Sequence, residues 1–183
     1  DQIVEIGFKC AKALGYVSRQ GLIHRDVKPA NILAVVQNEH VIDVKVSDFG
    51  SVLDTLSDRT QVFRVGSLAY MSPEQLDGST LDSRADQYSL ATIAYFLLTG
   101  ALPYLAKSPR EMFTQLLSQP PIPLNKARPN LDFGPRVESV VMRALSRQPS
   151  DRYPDILTFA KELSEALTAT PADEPGLFSK VRG

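Results

Sequence analysis

"IHRDVKPANIL", residues 23–33, packs a histidine, an arginine, an aspartate, a lysine and an asparagine between two aliphatic ends. Aliphatic flanks favour burial, and polar groups carried inside with them need partners. Two readings compete here. Asp and Asn bond readily to their own backbone and Pro29 fixes a turn, so the stretch could be ordinary turn chemistry. Alternatively its side chains converge to do chemistry, and the flanking sequence has to decide.

Upstream, residues 2–19 alternate polar positions (Gln2, Glu5, Lys9, Lys12, Arg19) with apolar ones (Ile3, Ile6, Cys10, Leu14, Val17) at helical spacing, and Gly21 ends the run. No capping signal precedes this helix, so Asp1 reads as a cut within it. Downstream, "ILAVV" and "VIDVKV" flank "QNEH", which predicts a β-hairpin running straight into "SDFG". From Ser51 to Gly66 periodicity vanishes, as in a long surface loop, and "YMSPEQL" closes it.

"SRADQYSLATIAYFLLTG", residues 83–100, is apolar nearly all round and predicts a central buried helix stopped by Gly100 and Pro103. "SPRE", residues 108–111, predicts a capping box at the start of a surface helix, and "PPIPLNKARPN" a proline-rich connector. Two further helices are expected in "VESVVMRALS" and "ILTFAKELSEAL", with a flexible polar tail over 170–183. The predicted fold is therefore mainly α with a small β-hairpin, an α+β domain over residues 1–169.

Composition excludes several classes. The 183 residues suffice for one core, and 43% hydrophobic with 22% charged residues is the globular norm. With 20 basic and 21 acidic side chains there is no general attraction for nucleic acid or an anionic membrane. The longest apolar run, Leu90 to Leu98, is broken by Thr92 and falls short of the roughly 20 residues that span a bilayer. A single cysteine, Cys10, reads as a buried helix residue rather than a nucleophile, and together with the lack of a recognisable leader it favours the cytoplasm.

Asp48 tips the balance between the two readings of residues 23–33. A hairpin returns the end of its second strand beside the start of its first, so Asp48 lies next to Asn31. A carboxylate and an amide oxygen facing one space suit Mg²⁺, which takes few protein ligands and completes its shell with phosphate and water. Lys28 adds a positive charge at the rim, and Asp26 stands near the metal, placed to accept a proton from a hydroxyl. These are the parts that phosphoryl transfer requires, because that reaction is mostly positioning and charge neutralisation.

"HRDVKPAN", "DFG" and "SPE", in that order, resemble the catalytic loop, metal loop and activation-segment end of eukaryotic-type (Hanks-type) serine/threonine protein kinases, bacterial members included. The similarity covers about residues 1–167 and implies the large C-terminal lobe of a kinase. It implies Asp26 as catalytic base and Lys28 as contact to the transferred phosphoryl group. Asn31 and Asp48 would hold Mg²⁺ or Mn²⁺, and Leu33 would lie under the adenine of ATP or be an ordinary core strand residue. His24 and Phe49 would pack the catalytic loop onto the buried helix. With His40 the only other histidine, zinc spacing is missing.

Asp86 has two readings: a capping pair with Ser83, or the family's brace on the catalytic-loop backbone. Glu74 and Arg152 match the family's ion pair. Ser67 stands where the family has threonine, with a hydroxyl to bridge Asp26 and Lys28. Arg25 would dock a phosphate on Thr55, Thr60, Ser57 or Ser51.

The resemblance also implies parts that are missing. "GSLAY" lacks the glycines of a phosphate-covering loop, and Lys45 lies in the wrong strand for the family's lysine. The chain is thus expected to lack the N-terminal lobe and to turn over little alone, its partners being that lobe and protein substrates. A non-catalytic module of the same fold and a small-molecule kinase are the alternatives.

Overall fold

A computed structural model describes residues 2–49 and 65–169. Helix α1 (Gln2–Arg19) buries Cys10, Ala11, Leu14 and Gly15. It ends as the sequence requires: Gly21 takes φ 76°, its N–H bonds the Ser18 carbonyl, and the Leu22 N–H reaches back to that of Val17. Cys10 is fully buried, and burial pushes its thiol up to about 11, away from nucleophilic use.

Strands β1 (Ile32–Gln37) and β2 (His40–Val46) form an antiparallel hairpin. Of the "QNEH" segment, Gln37 and His40 pair as strand ends, and only Asn38 and Glu39 turn, both at positive φ (48° and 65°). Two such residues twist with the strands they join. Val35 pairs with Asp43 and Val36 with Val41, leaving Ile42 as an extra residue. That bulge breaks the alternation, so the buried residues of β2 are Val41 and Val44, three apart. β2 packs on α1, with Lys9 Nζ donating to the Ile42 carbonyl at 2.6 Å. β1 stays largely uncovered: Leu33 is 55% exposed, which corrects the reading of Leu33 as a core strand residue.

Short helices α2 (Val65–Leu68) and α3 (Pro73–Asp77) precede the central α4 (Arg84–Thr99). Ser72 and Gln75 cap α3 reciprocally, and Gly78 closes it at φ 76°. Most of α4 is buried, including Asp86, Gln87, Ser89 and Thr92, and Gly100 caps it at φ 70°. The buried side chains of Asp86, Gln87, Ser89 and Thr92 are partnered. Gln87 exchanges two 3.1 Å hydrogen bonds with the Tyr153 backbone, and Ser89 Oγ donates to the Tyr70 carbonyl at 2.7 Å.

Helix α5 (Pro109–Ser118) starts with Ser108 accepting from the Glu111 N–H, while the Glu111 carboxylate takes the Lys107 N–H instead of completing the box on Ser108. Helices α6 (Leu124–Ala127), α7 (Gly134–Ala144) and α8 (Ile156–Thr168) finish the domain. α1, α7 and α8 pack around α4. Where α1 crosses α8, a Cβ on Gly15 would lie 3.1 Å from the Leu157 side chain, so the two helices meet closely there.

One ion pair ties the ends of this arrangement together. Arg152, 2% exposed, forms a two-pronged contact with Glu74, each prong 2.7 Å. Its remaining donors reach the carbonyls of Ser146, Arg84 and Arg147 at 2.8, 2.8 and 3.1 Å. The guanidinium also lies 4.9 Å from the centre of the Tyr88 ring. All five N–H groups of the fork thus have acceptors. Removing one member of such a pair leaves a buried charge and several carbonyls unsatisfied. Arg152→Ala is expected to cost roughly 3–5 kcal/mol, seen as a sharp fall in the thermal melt. Arg152→Lys recovers little of it, since an ammonium cannot reproduce the fork.

Candidate active site

Between α1 and β1 the chain runs as an irregular loop over residues 22–28, then a single 3-10 turn, Pro29–Asn31. Arg25 takes φ 67° there, a conformation that costs a non-glycine residue energy. The cost is offset because this turn aims two successive N–H groups at one carboxylate. His24 N–H donates to Asp86 Oδ2 at 2.8 Å, and Arg25 N–H to Asp86 Oδ1 at 2.9 Å. Burial pushes the Asp86 carboxyl above its ordinary range, and these two hydrogen bonds pull it back.

The Ser83 cap does not form. Ser83 adopts helical backbone angles and its side chain makes no cap bond, and the Asp86 oxygens are engaged by the loop instead. Of the two readings of Asp86, the structure shows the brace.

His24 is fully buried and links three segments. Its Nδ1 accepts from the Asp26 N–H at 3.3 Å, which leaves the proton on Nε2, 3.0 Å from the Ser47 carbonyl. Its ring lies 4.6 Å from that of Phe49, which remains 43% exposed, so Phe49 packs on the histidine from the outer side.

Asp26 Oδ2 is held by Lys28 Nζ at 2.7 Å and by Asn31 Nδ2 at 3.0 Å; the same Nδ2 lies 2.8 Å from the Asp26 carbonyl. Two donors on one oxygen fix the carboxylate's rotation and present Oδ1 as its other acceptor. The Asn31 amide is likewise oriented: with its nitrogen committed to Asp26, its oxygen is what it offers to a cation. Ser47 fastens this corner to the end of the hairpin, its N–H and hydroxyl both on the Asn31 carbonyl at 2.9 and 3.2 Å. Asp48 follows immediately, exposed and at φ 65°. Among the described residues, no group of three or more His, Cys, Asp or Glu could hold a metal. One amide oxygen and one exposed carboxylate fit a hard cation that brings its own phosphate and water ligands.

Among the described residues the Ser67 hydroxyl makes no hydrogen bond to Asp26 or Lys28, which meet directly. Thr55, Thr60, Ser57 and Ser51, and the tail 170–183, lie outside the described residues. One connection escaped the sequence reading. Gln75 Nε2 donates to the Arg25 carbonyl at 2.7 Å. The S-x-x-Q spacing of Ser72 and Gln75 advertises the cap of α3, but nothing local advertises a partner fifty residues upstream.

The comparisons with known proteins agree with this geometry. A family model described as protein kinase domain matches residues 1–165. The chain is 36% identical to serine/threonine-protein kinase PknB of Mycolicibacterium smegmatis, over 94% of this chain and 31% of that protein. It is 38% identical to PknF of Mycobacterium tuberculosis, over 91% of this chain and 35% of that one. The crystal structure of the Mycobacterium tuberculosis PknI kinase domain superposes with TM-score 0.64 at 33% identity, covering 90% of this chain and 54% of that one. The chain thus spans about a third of the length of the curated relatives it matches. No helix among the described residues is long and apolar enough to cross a membrane.

The brace makes a prediction. Asp86→Asn keeps the shape but turns one acceptor into a donor that faces an N–H. An unsatisfied buried group of this kind costs about 1–3 kcal/mol. The melt is expected to drop by that amount, with faster hydrogen exchange at the His24 and Arg25 amides.

Proposed function

Because the chain belongs to the protein kinase family, we propose that its site transfers the γ-phosphoryl group of ATP to serine or threonine hydroxyls of protein substrates. The observation that carries this reading is the double clamp on Asp26 Oδ2 by Lys28 and Asn31, which holds a carboxylate in one orientation at an accessible rim. The two side chains are 21% and 24% exposed at Asp26 and Lys28, so a substrate hydroxyl can reach them.

In this reading Asp26 orients the hydroxyl and accepts its proton on Oδ1. Lys28 neutralises charge on the moving phosphoryl group while fixing its neighbour. Asn31 and Asp48 are the residues that would hold Mg²⁺ or Mn²⁺, which supplies charge neutralisation at the phosphates when bound. The exposed Leu33 offers an apolar surface to the adenine. His24 and Asp86 keep the loop in register. Lysine at position 28 favours serine and threonine as acceptors, as do the names of the relatives. We assign the segment to the cytoplasm, on its one free and buried cysteine, Cys10.

The test is ATP-dependent labelling of a generic protein substrate by the full-length protein. Asp26→Asn is expected to reduce labelling by about 10²–10⁴-fold, the usual contribution of a positioned acid or base. Asp48→Asn should raise the Mg²⁺ concentration needed for half-maximal rate while leaving the melt in place. Labelling by Asp26→Asn at the parental rate would refute the assignment.

A further inference from the structure

Gln75 connects two parts of the site with one amide. Its Oε1 accepts from the Ser72 N–H and hydroxyl, each at 3.1 Å, and so closes the first turn of α3. Its Nε2 donates to the Arg25 carbonyl at 2.7 Å. That carbonyl belongs to the peptide unit whose N–H is that of Asp26, and this N–H points at His24 Nδ1, 3.3 Å away. The peptide plane between Arg25 and Asp26 is therefore gripped at its oxygen by α3 and at its hydrogen by His24. On the other side of Arg25, the preceding plane is gripped by Asp86.

The grip matters because Arg25 stands at φ 67°. A residue in that region relaxes unless its surroundings over-determine it. Relaxation would rotate the plane that carries the Asp26 Cα, and with it the carboxylate. Asp86 fixes where the left-handed turn begins, and the Gln75 amide fixes where it ends.

We infer that Gln75 is a positioning residue for Asp26, coupling the seat of α3 to the alignment of the carboxylate; the inference rests on the kinase reading of Asp26 given above. Gln75 touches no reacting atom. It acts through the Arg25 carbonyl, so a displacement of α3 that lengthens this bond beyond hydrogen-bonding reach also frees the base.

Two substitutions separate this role from capping, tested in the full-length protein with Asp26→Asn beside them. Gln75→Glu keeps an acceptor oxygen for Ser72, since capping boxes use either residue, but ionised glutamate has no N–H for the Arg25 carbonyl. Its kcat is expected to fall on the order of ten-fold, the rate equivalent of one neutral hydrogen bond. KM for ATP and for the protein substrate should stay within about two-fold, and the variant should remain folded at the assay temperature. Gln75→Met, which lacks both functions, should show the same kcat loss and a lower melt. Parental kcat in Gln75→Glu, with Asp26→Asn inactive, overturns the inference and leaves the kinase reading intact. Rate and folded fraction falling together in Gln75→Glu also overturn it, because the residue is then only scaffold. Equal labelling by Asp26→Asn and the parent overturns both.

Discussion

Two adjacent backbone N–H groups, that of His24 buried and that of Arg25 half-buried, both find the carboxylate of Asp86. Everything at the site is referred to that contact. It requires Arg25 to turn left-handed, which brings His24 under the hairpin and swings Asp26 outward to meet Lys28 and Asn31. The carboxylate can do this because it projects from the first turn of a helix whose own N-terminal amides favour negative charge. A rigid, centrally buried helix thereby becomes the reference frame for a loop that has no regular structure of its own.

A second polar centre, at Arg152, performs a similar service for the region that follows. Arg152 reaches Glu74 in α3, the Arg84 carbonyl at the start of α4 and two carbonyls after α7. It therefore fixes how α3 lies against α4. Buried ion pairs add little net stability compared with apolar packing, and their value lies in excluding other arrangements. Here the excluded arrangements are those in which α3 shifts, and α3 is the element from which Gln75 reaches the catalytic loop. The two centres are thus joined, one setting the loop and the other setting the helix that touches it.

Much of this was legible in the sequence because it is local. Asp26, Lys28 and Asn31 carry side chains whose partners lie within five positions, so their cluster is a local one. Gly21 and Gly100 mark helix ends because only a positive φ completes them, and the all-round apolar pattern of residues 84–99 can mean only burial. What was hidden is long-range or depends on a single backbone choice. Ser83 looks like a cap until Asp86 is seen to be occupied elsewhere. Leu33 has the pattern of a core residue, yet it stands opposite the exposed Lys45 rather than the buried Val44. Gln75 declares its cap and conceals its second bond.

The lopsided hairpin has a practical meaning. β1 reads Ile-Leu-Ala-Val-Val-Gln, without charge, proline or glycine, and all but its first residue are exposed. Among the described residues only β2 pairs with it. Such a strand offers an open row of amides and carbonyls between apolar side chains, the template on which identical chains stack. An edge of this kind, left uncovered, is where copies of one chain can pair strand to strand.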